Sequence, residues 1–104
     1  MIAVINNKAS LIEKLKIHRK EIKSLGVRNL KLFGSFAADS NIHKESDIDL
    51  LVEFEAGKKT FDNFMNLSFL LEDLFGRKVE LVTPESLSRH LSPYILNQAE
   101  NVIL

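Results

Sequence analysis

Cysteine is absent from the 104 residues, which excludes disulfides, thiolate chemistry and cysteine-ligated zinc together. Proline occurs twice and glycine four times, too few for a linker that would divide the chain, and no repeat or low-complexity segment is present. Charge of one sign is missing as well: 14 Lys and Arg balance 14 Asp and Glu. A general nucleic-acid binder is usually basic, so binding of nucleic acid through bulk charge is not expected. No apolar run approaches the roughly 18 residues that span a bilayer. The start, Met1-Ile2-Ala3-Val4-Ile5, turns polar at Asn6-Asn7-Lys8 and lacks the basic opening and apolar run of a signal peptide. The expectation is a soluble, cytoplasmic protein without membrane contact.

What is present is an ordinary globular mixture, 45% apolar and 27% charged. It suits one domain over residues 1–104, an N-terminal helix (1–26) followed by a core with C-terminal helices (27–104). Ser10 with Glu13 reads as a capping box. Leu11, Leu15, His18, Ile22 and Leu25 then recur at helical spacing up to Gly26, with His18 at the edge of the core. Val27 to Phe33 reads as a half-buried strand. A polar loop runs from about Asp39 to Ser46. Asp47 to Phe54 is the strongest strand pattern, with Ile48, Leu50, Val52 and Phe54 on one face and Asp47, Asp49, Leu51 and Glu53 on the other.

Thr60 is placed to cap a helix to about Phe75, with Phe64, Leu67, Leu71 and Leu74 on one stripe and Gly76 closing it. Lys78 to Val82 reads as a third strand. Thr83-Pro84 and Ser92-Pro93 each set a capping residue before proline, so two short helices are expected to finish the chain. The fold class is α/β (α+β), with a short three-stranded sheet flanked by helices.

Chemistry concentrates at Gly34-Ser35 and Asp47-Ile48-Asp49. Residues i and i+2 of a strand leave the same face with Cα atoms roughly 6.6 Å apart, so the two carboxylates can converge. Mg²⁺ takes one or two carboxylates plus substrate phosphates, and two such ions can clamp the attacking and leaving oxygens of a phosphoryl-type displacement. Glycine at position 34 lets backbone approach a phosphate, with the following N–H groups and the Ser35 hydroxyl as donors. Glu80 is the candidate third carboxylate, as metal ligand or proton acceptor. Singly, Asp-x-Asp is a solvated strand edge and Gly-Ser a turn; the ordered set is far more specific.

That set resembles the minimal nucleotidyltransferases of the DNA polymerase β-like superfamily. The resemblance rests on Leu32-Phe33-Gly34-Ser35-Phe36-Ala37, on Ser46 to Phe54, and on Gly76-Arg77-Lys78-Val79-Glu80-Leu81-Val82-Thr83, and extends through Pro93-Tyr94-Ile95-Leu96. It implies a short mixed sheet and Mg²⁺-dependent transfer of a nucleoside monophosphate to a hydroxyl. It also implies an antitoxin role beside a HEPN-domain ribonuclease toxin, by attachment of AMP from ATP to a tyrosine of that partner. Under it, Gly34 and Ser35 bind the triphosphate, Asp47 and Asp49 hold metal, and Glu80 stands at the third carboxylate position. Ala38-Asp39 departs from the family's Arg-Gly, the loop to Asp47 is one residue longer than usual, and Glu80 stands where Asp is common.

The departures motivate an alternative, an antitoxin of the same fold that neutralises its toxin by binding alone. A transferase acting on RNA or a small molecule usually carries further domains, for which 104 residues leave no room. Gly57-Lys58-Lys59-Thr60 matches only the end of a P-loop, and no G-x-S-x-G supports a hydrolase. His43 reads as a solvated loop residue near the site and His90 as a helix-end residue. Phe61, Phe64, Phe69 and Phe75 read as core and partner-facing packing. Val102-Ile103-Leu104 is expected to pack on the core, and association with a second copy or a partner is expected for so small a domain.

Overall fold

The computed structural model describes residues 4–39, 42–43, 46–86, 97 and 99–102. The chain opens with helix α1 (Lys8–Ile17) and α2 (Arg19–Ser24), where one helix was expected. The break falls at His18, yet the Ile22 N–H still donates to the His18 carbonyl at 3.1 Å. The stripe keeps its phase across it, with Leu11, Leu15 and Ile22 fully buried. His18 stays at the core edge, its Nδ1 3.0 Å from Glu21 Oε1. The cap is Asn7 rather than Ser10: the Ser10 N–H donates to Asn7 Oδ1 at 2.8 Å, so Ser10 lies inside the first turn.

Strand β1 (Val27–Phe33) leads directly into the one-turn helix α3 (Gly34–Ala38). Strand β2 (Ile48–Phe54) follows the polar loop. Helix α4 (Phe61–Phe75) starts and stops as its caps predict: Thr60 Oγ1 accepts the Asn63 N–H, and Gly76 is left-handed. Strand β3 (Val79–Val82) comes next, and Thr83-Pro84 opens a 3₁₀ turn over Pro84–Ser86, beyond which the expected helix lies outside the described residues. The second C-terminal helix, His90 and the 93–96 motif lie outside the described residues.

Among the described residues the sheet has four strands, not three, in the order β3-β2-β1 followed by β4 (Glu100–Val102). The addition, β4, is antiparallel to β1 with Val102 opposite Leu30. Three residues with one buried side chain have no periodicity to read; pairing with β1 makes them a strand. β1 and β2 are antiparallel, while β2 and β3 are parallel with α4 as the crossover. One sheet face carries Leu30, Leu32, Ile48, Leu50, Val52 and Val79 into a core shared with Leu11, Leu15, Phe36, Leu67, Leu71 and Phe75. Phe64 packs at that core's margin, whereas Phe61 and Phe69 are exposed. Val102 is buried as expected. Among the described residues, no helix is long and apolar enough to cross a membrane.

Candidate active site

The second sheet face carries Asp49 and Glu53 on β2, with Leu51 buried between them, because successive residues of a strand point to opposite sides. On that face the register sets Asp49 opposite Phe33 at the end of β1 and opposite Glu80 at the start of β3. Gly34, Asp49 and Glu80 are therefore brought to one end of the sheet, and Asp47 precedes β2 by one residue. Glu80 is exposed; Asp47 and Asp49 are half-buried.

Gly34 meets Asp49 at close quarters. Its φ is +74°, a conformation that L side chains rarely adopt. A Cβ placed there would overlap Asp49 Oδ2 and come within 3.0 Å of Cγ. The carboxylate thus lies over the start of α3. No side chain caps α3 at Phe33, and the N–H groups of a first helical turn have no intrahelical acceptor.

The electrostatics follow from this crowding. Burial, then the negative charges of Asp47 and Glu80, push the Asp49 carboxyl from 3.8 up to about 6. A carboxylate held among carboxylates favours a cation. Among the described residues, no three His, Cys, Asp or Glu side chains are gathered into a ready-made metal cage. Mg²⁺ does not require one, since one or two carboxylates plus phosphate oxygens satisfy it. The donor set at Asp47 and Asp49 fits that ion.

Two residues gain meaning that spacing did not disclose. Asp39 has φ +51°, the one non-glycine with positive φ among the described residues, so the glycine-like backbone role at that position is kept. Its carboxylate accepts the Lys8 N–H at 3.1 Å, at the start of α1. Arg77 is the only buried charged residue among those described. Its guanidinium donates to the His43 carbonyl at 2.9 Å, to the Ser46 carbonyl at 3.0 Å and to Asn6 Oδ1 at 3.1 Å, and also to the Ile5 carbonyl. The signal was an arginine directly after a helix-closing glycine and before a strand, but its partners lie 31 to 72 positions away. His43 is exposed, as expected. Ala38 lines a pocket of about 280 Å³ with Gly34, Ala37 and Glu100, with no guanidinium from position 38.

The family model of the nucleotidyltransferase domain matches residues 15–102. A candidate protein adenylyltransferase of Methanocaldococcus jannaschii is 41% identical over 92 residues, 85% of this chain and 96% of that protein. The protein adenylyltransferase MntA of Thermococcus cleftensis is 34% identical over 85 residues, 81% of this chain and 84% of that protein. A solved structure described as a candidate minimal nucleotidyltransferase aligns with a TM-score of 0.68 at 32% identity, over 89% of this chain and 95% of that one. A toxin–antitoxin structure with AMP-PNP aligns with a TM-score of 0.63 at 24% identity, over 93% of this chain and 73% of that one, a likeness of fold.

Proposed function

Because the chain belongs to the nucleotidyltransferase domain family, and within it resembles the minimal nucleotidyltransferases, we propose that it transfers AMP from ATP to a tyrosine hydroxyl of a HEPN-type toxin partner and thereby acts as an antitoxin. The observation that carries this reading is the register that seats Asp49 beside Glu80 and over Gly34. A protein acceptor is supported by the relatives named as protein adenylyltransferases. A nucleotide donor and a toxin partner are supported by the similar fold solved as a toxin–antitoxin with AMP-PNP.

In this reading Asp47 and Asp49 hold Mg²⁺, as one ion or two, with Glu80 as the third carboxylate. The ion supplies Lewis-acid stabilisation of charge on the phosphates when it is bound. The N–H groups after Gly34 and the Ser35 hydroxyl donate to the triphosphate. The acceptor oxygen attacks the α-phosphorus, a new O–P bond forms, and the bond to the β-phosphate oxygen breaks to release pyrophosphate. The hydroxyl proton passes to a carboxylate, for which Glu80 is placed beside Asp49 on the open face.

Ala38 favours a second reading. Where the family has arginine, an exposed methyl stands beside Gly34, so the phosphates lose one guanidinium, and neutralisation by binding alone would leave the site idle. The deciding experiment mixes the protein, ATP labelled at the α-phosphate, Mg²⁺ and a host-cell extract. Label on one protein, absent with Asp47→Asn/Asp49→Asn, supports the transferase. No label while a partner is still captured supports the binding-only antitoxin.

A further inference from the structure

Arg77 sits where α3, the segment before β2 and the N-terminal segment meet. Gly76, left-handed at φ +64°, ends α4 and turns the chain so that the next side chain enters the protein. There the guanidinium lies 5.3 Å from the centroid of the Phe36 ring, on α3, one residue past Ser35. Its Nη1 donates to both the His43 and Ser46 carbonyls. Those residues already close a turn, with the Ser46 N–H donating to the His43 carbonyl at 3.0 Å and the His43 N–H to Ser46 Oγ at 3.0 Å. Nε and Nη2 reach the N-terminal segment at Ile5 and Asn6.

Asp47 lies immediately beyond that turn, between two anchored peptide groups. On one side the Ser46 carbonyl accepts from Arg77; on the other the Ile48 N–H donates to the Lys78 carbonyl at 3.0 Å. Residues 77 and 78 thus bracket Asp47 from both directions. We propose that Arg77 is a positioning residue of this site, its guanidinium holding the Ser46 carbonyl and the Phe36 ring at a fixed separation so that Asp47 is kept at the entry to β2, two residues before Asp49. This inference rests on the reading of Asp47 and Asp49 as metal ligands.

Only an arginine has the right shape for the task. A planar fork spreads its donors over several directions and leaves a flat face for an aromatic ring. An ammonium carries three donors on a single atom and cannot reach Ile5, Asn6, His43 and Ser46 together. Loss of the partners that orient metal ligands typically weakens metal affinity or activity about 10–100-fold.

The test uses the full chain, freed of metal, with Mn²⁺ binding followed by electron paramagnetic resonance and amide exchange followed by NMR. Arg77→Lys and Arg77→Gln are compared with Leu71→Ala, a core variant that destabilises the fold without removing any partner of Arg77, all well below their unfolding midpoints. The expected result is an affinity for Mn²⁺ about tenfold or more weaker in both Arg77 variants, unchanged in Leu71→Ala. The Ser46 and Ile48 amides should also exchange faster in the Arg77 variants than in Leu71→Ala. Parental Mn²⁺ affinity in either folded Arg77 variant overturns the inference. A parent that binds no Mn²⁺, or binds it equally after Asp47→Asn/Asp49→Asn, overturns the metal-site reading instead. The exchange comparison then decides alone whether Arg77 orders the turn.

Discussion

Replacing Asp49 with asparagine removes one negative charge while keeping the side chain's shape, and it should make the protein more stable. The Asp49 carboxyl is pushed from 3.8 to about 6 by burial and by Asp47 and Glu80. The folded state therefore binds its proton more tightly than the unfolded chain does. Between those two pH values the folded state carries more protons, so stability falls as pH rises. The cost is absent below about pH 4, grows up to about pH 6, and is complete above it. Each pH unit corresponds to about 1.4 kcal/mol, and solvent screening of a half-exposed group reduces the total to about 1–2 kcal/mol. Urea unfolding in metal-free buffer at pH 7 should thus place Asp49→Asn about 1–2 kcal/mol above the parent. For a domain of this size that is several degrees in Tm. Near pH 4 the two curves should coincide. Added Mg²⁺ should stabilise the parent by linkage and leave Asp49→Asn where it was. An Asp49→Asn protein no more stable than the parent at pH 7 would refute the idea that this carboxylate is held at a cost for use.

Other changes should separate the backbone of the site from the rest of the fold. Gly34→Ala sets a Cβ against Asp49 Oδ2 at a positive φ; a loss of about 1–3 kcal/mol in urea unfolding is expected, together with loss of label transfer. Thr60→Ala removes the acceptor of the Asn63 N–H at the start of α4; it should cost about 1 kcal/mol and leave transfer at the parental rate when assayed below Tm. Ala38→Arg returns a guanidinium beside Gly34; the KM for ATP should fall severalfold with the acceptor's KM unchanged, and an unaltered KM would mean that position 38 does not face the phosphates.

The sheet strands and α4 were legible because their signals are local. β2 alternates from Ile48 to Val52 on the core face, and α4 carries its own caps at Thr60 and Gly76. Misreadings arose where distant groups decide. Asn7 and Ser10 are both good capping residues three positions apart, and the helix starts at the first. There the Lys8 N–H finds Asp39 and the Lys8 ammonium pairs with Glu100, on parts of the chain no spacing rule connects. β4 exists only through β1. The carboxylates proposed for the site, Asp47, Asp49 and Glu80, are legible as residue types in order, but the contact of Asp49 with Gly34 and its place beside Glu80 depend on strand register. Arg77 lies within the Gly76–Thr83 motif that carries the family resemblance. Its role is invisible locally because its partners are mostly backbone carbonyls, which carry no residue identity.

The same alternation that aims the carboxylates also supports them. Asp49 stands between Ile48 and Leu50, both fully buried on the opposite face, and burial of such a side chain contributes about 1.5–3 kcal/mol. Either neighbour alone is thus comparable with or larger than the cost of holding Asp49 charged. Register ties the two effects together: a slip of one residue would expose Ile48 and Leu50 and bury Asp49. The apolar face therefore selects the pairing that brings Asp49 beside Glu80, and mutual repulsion of the carboxylates is too weak to undo it. A chain with no net charge can in this way keep a locally negative site on a sheet whose other face holds it in place.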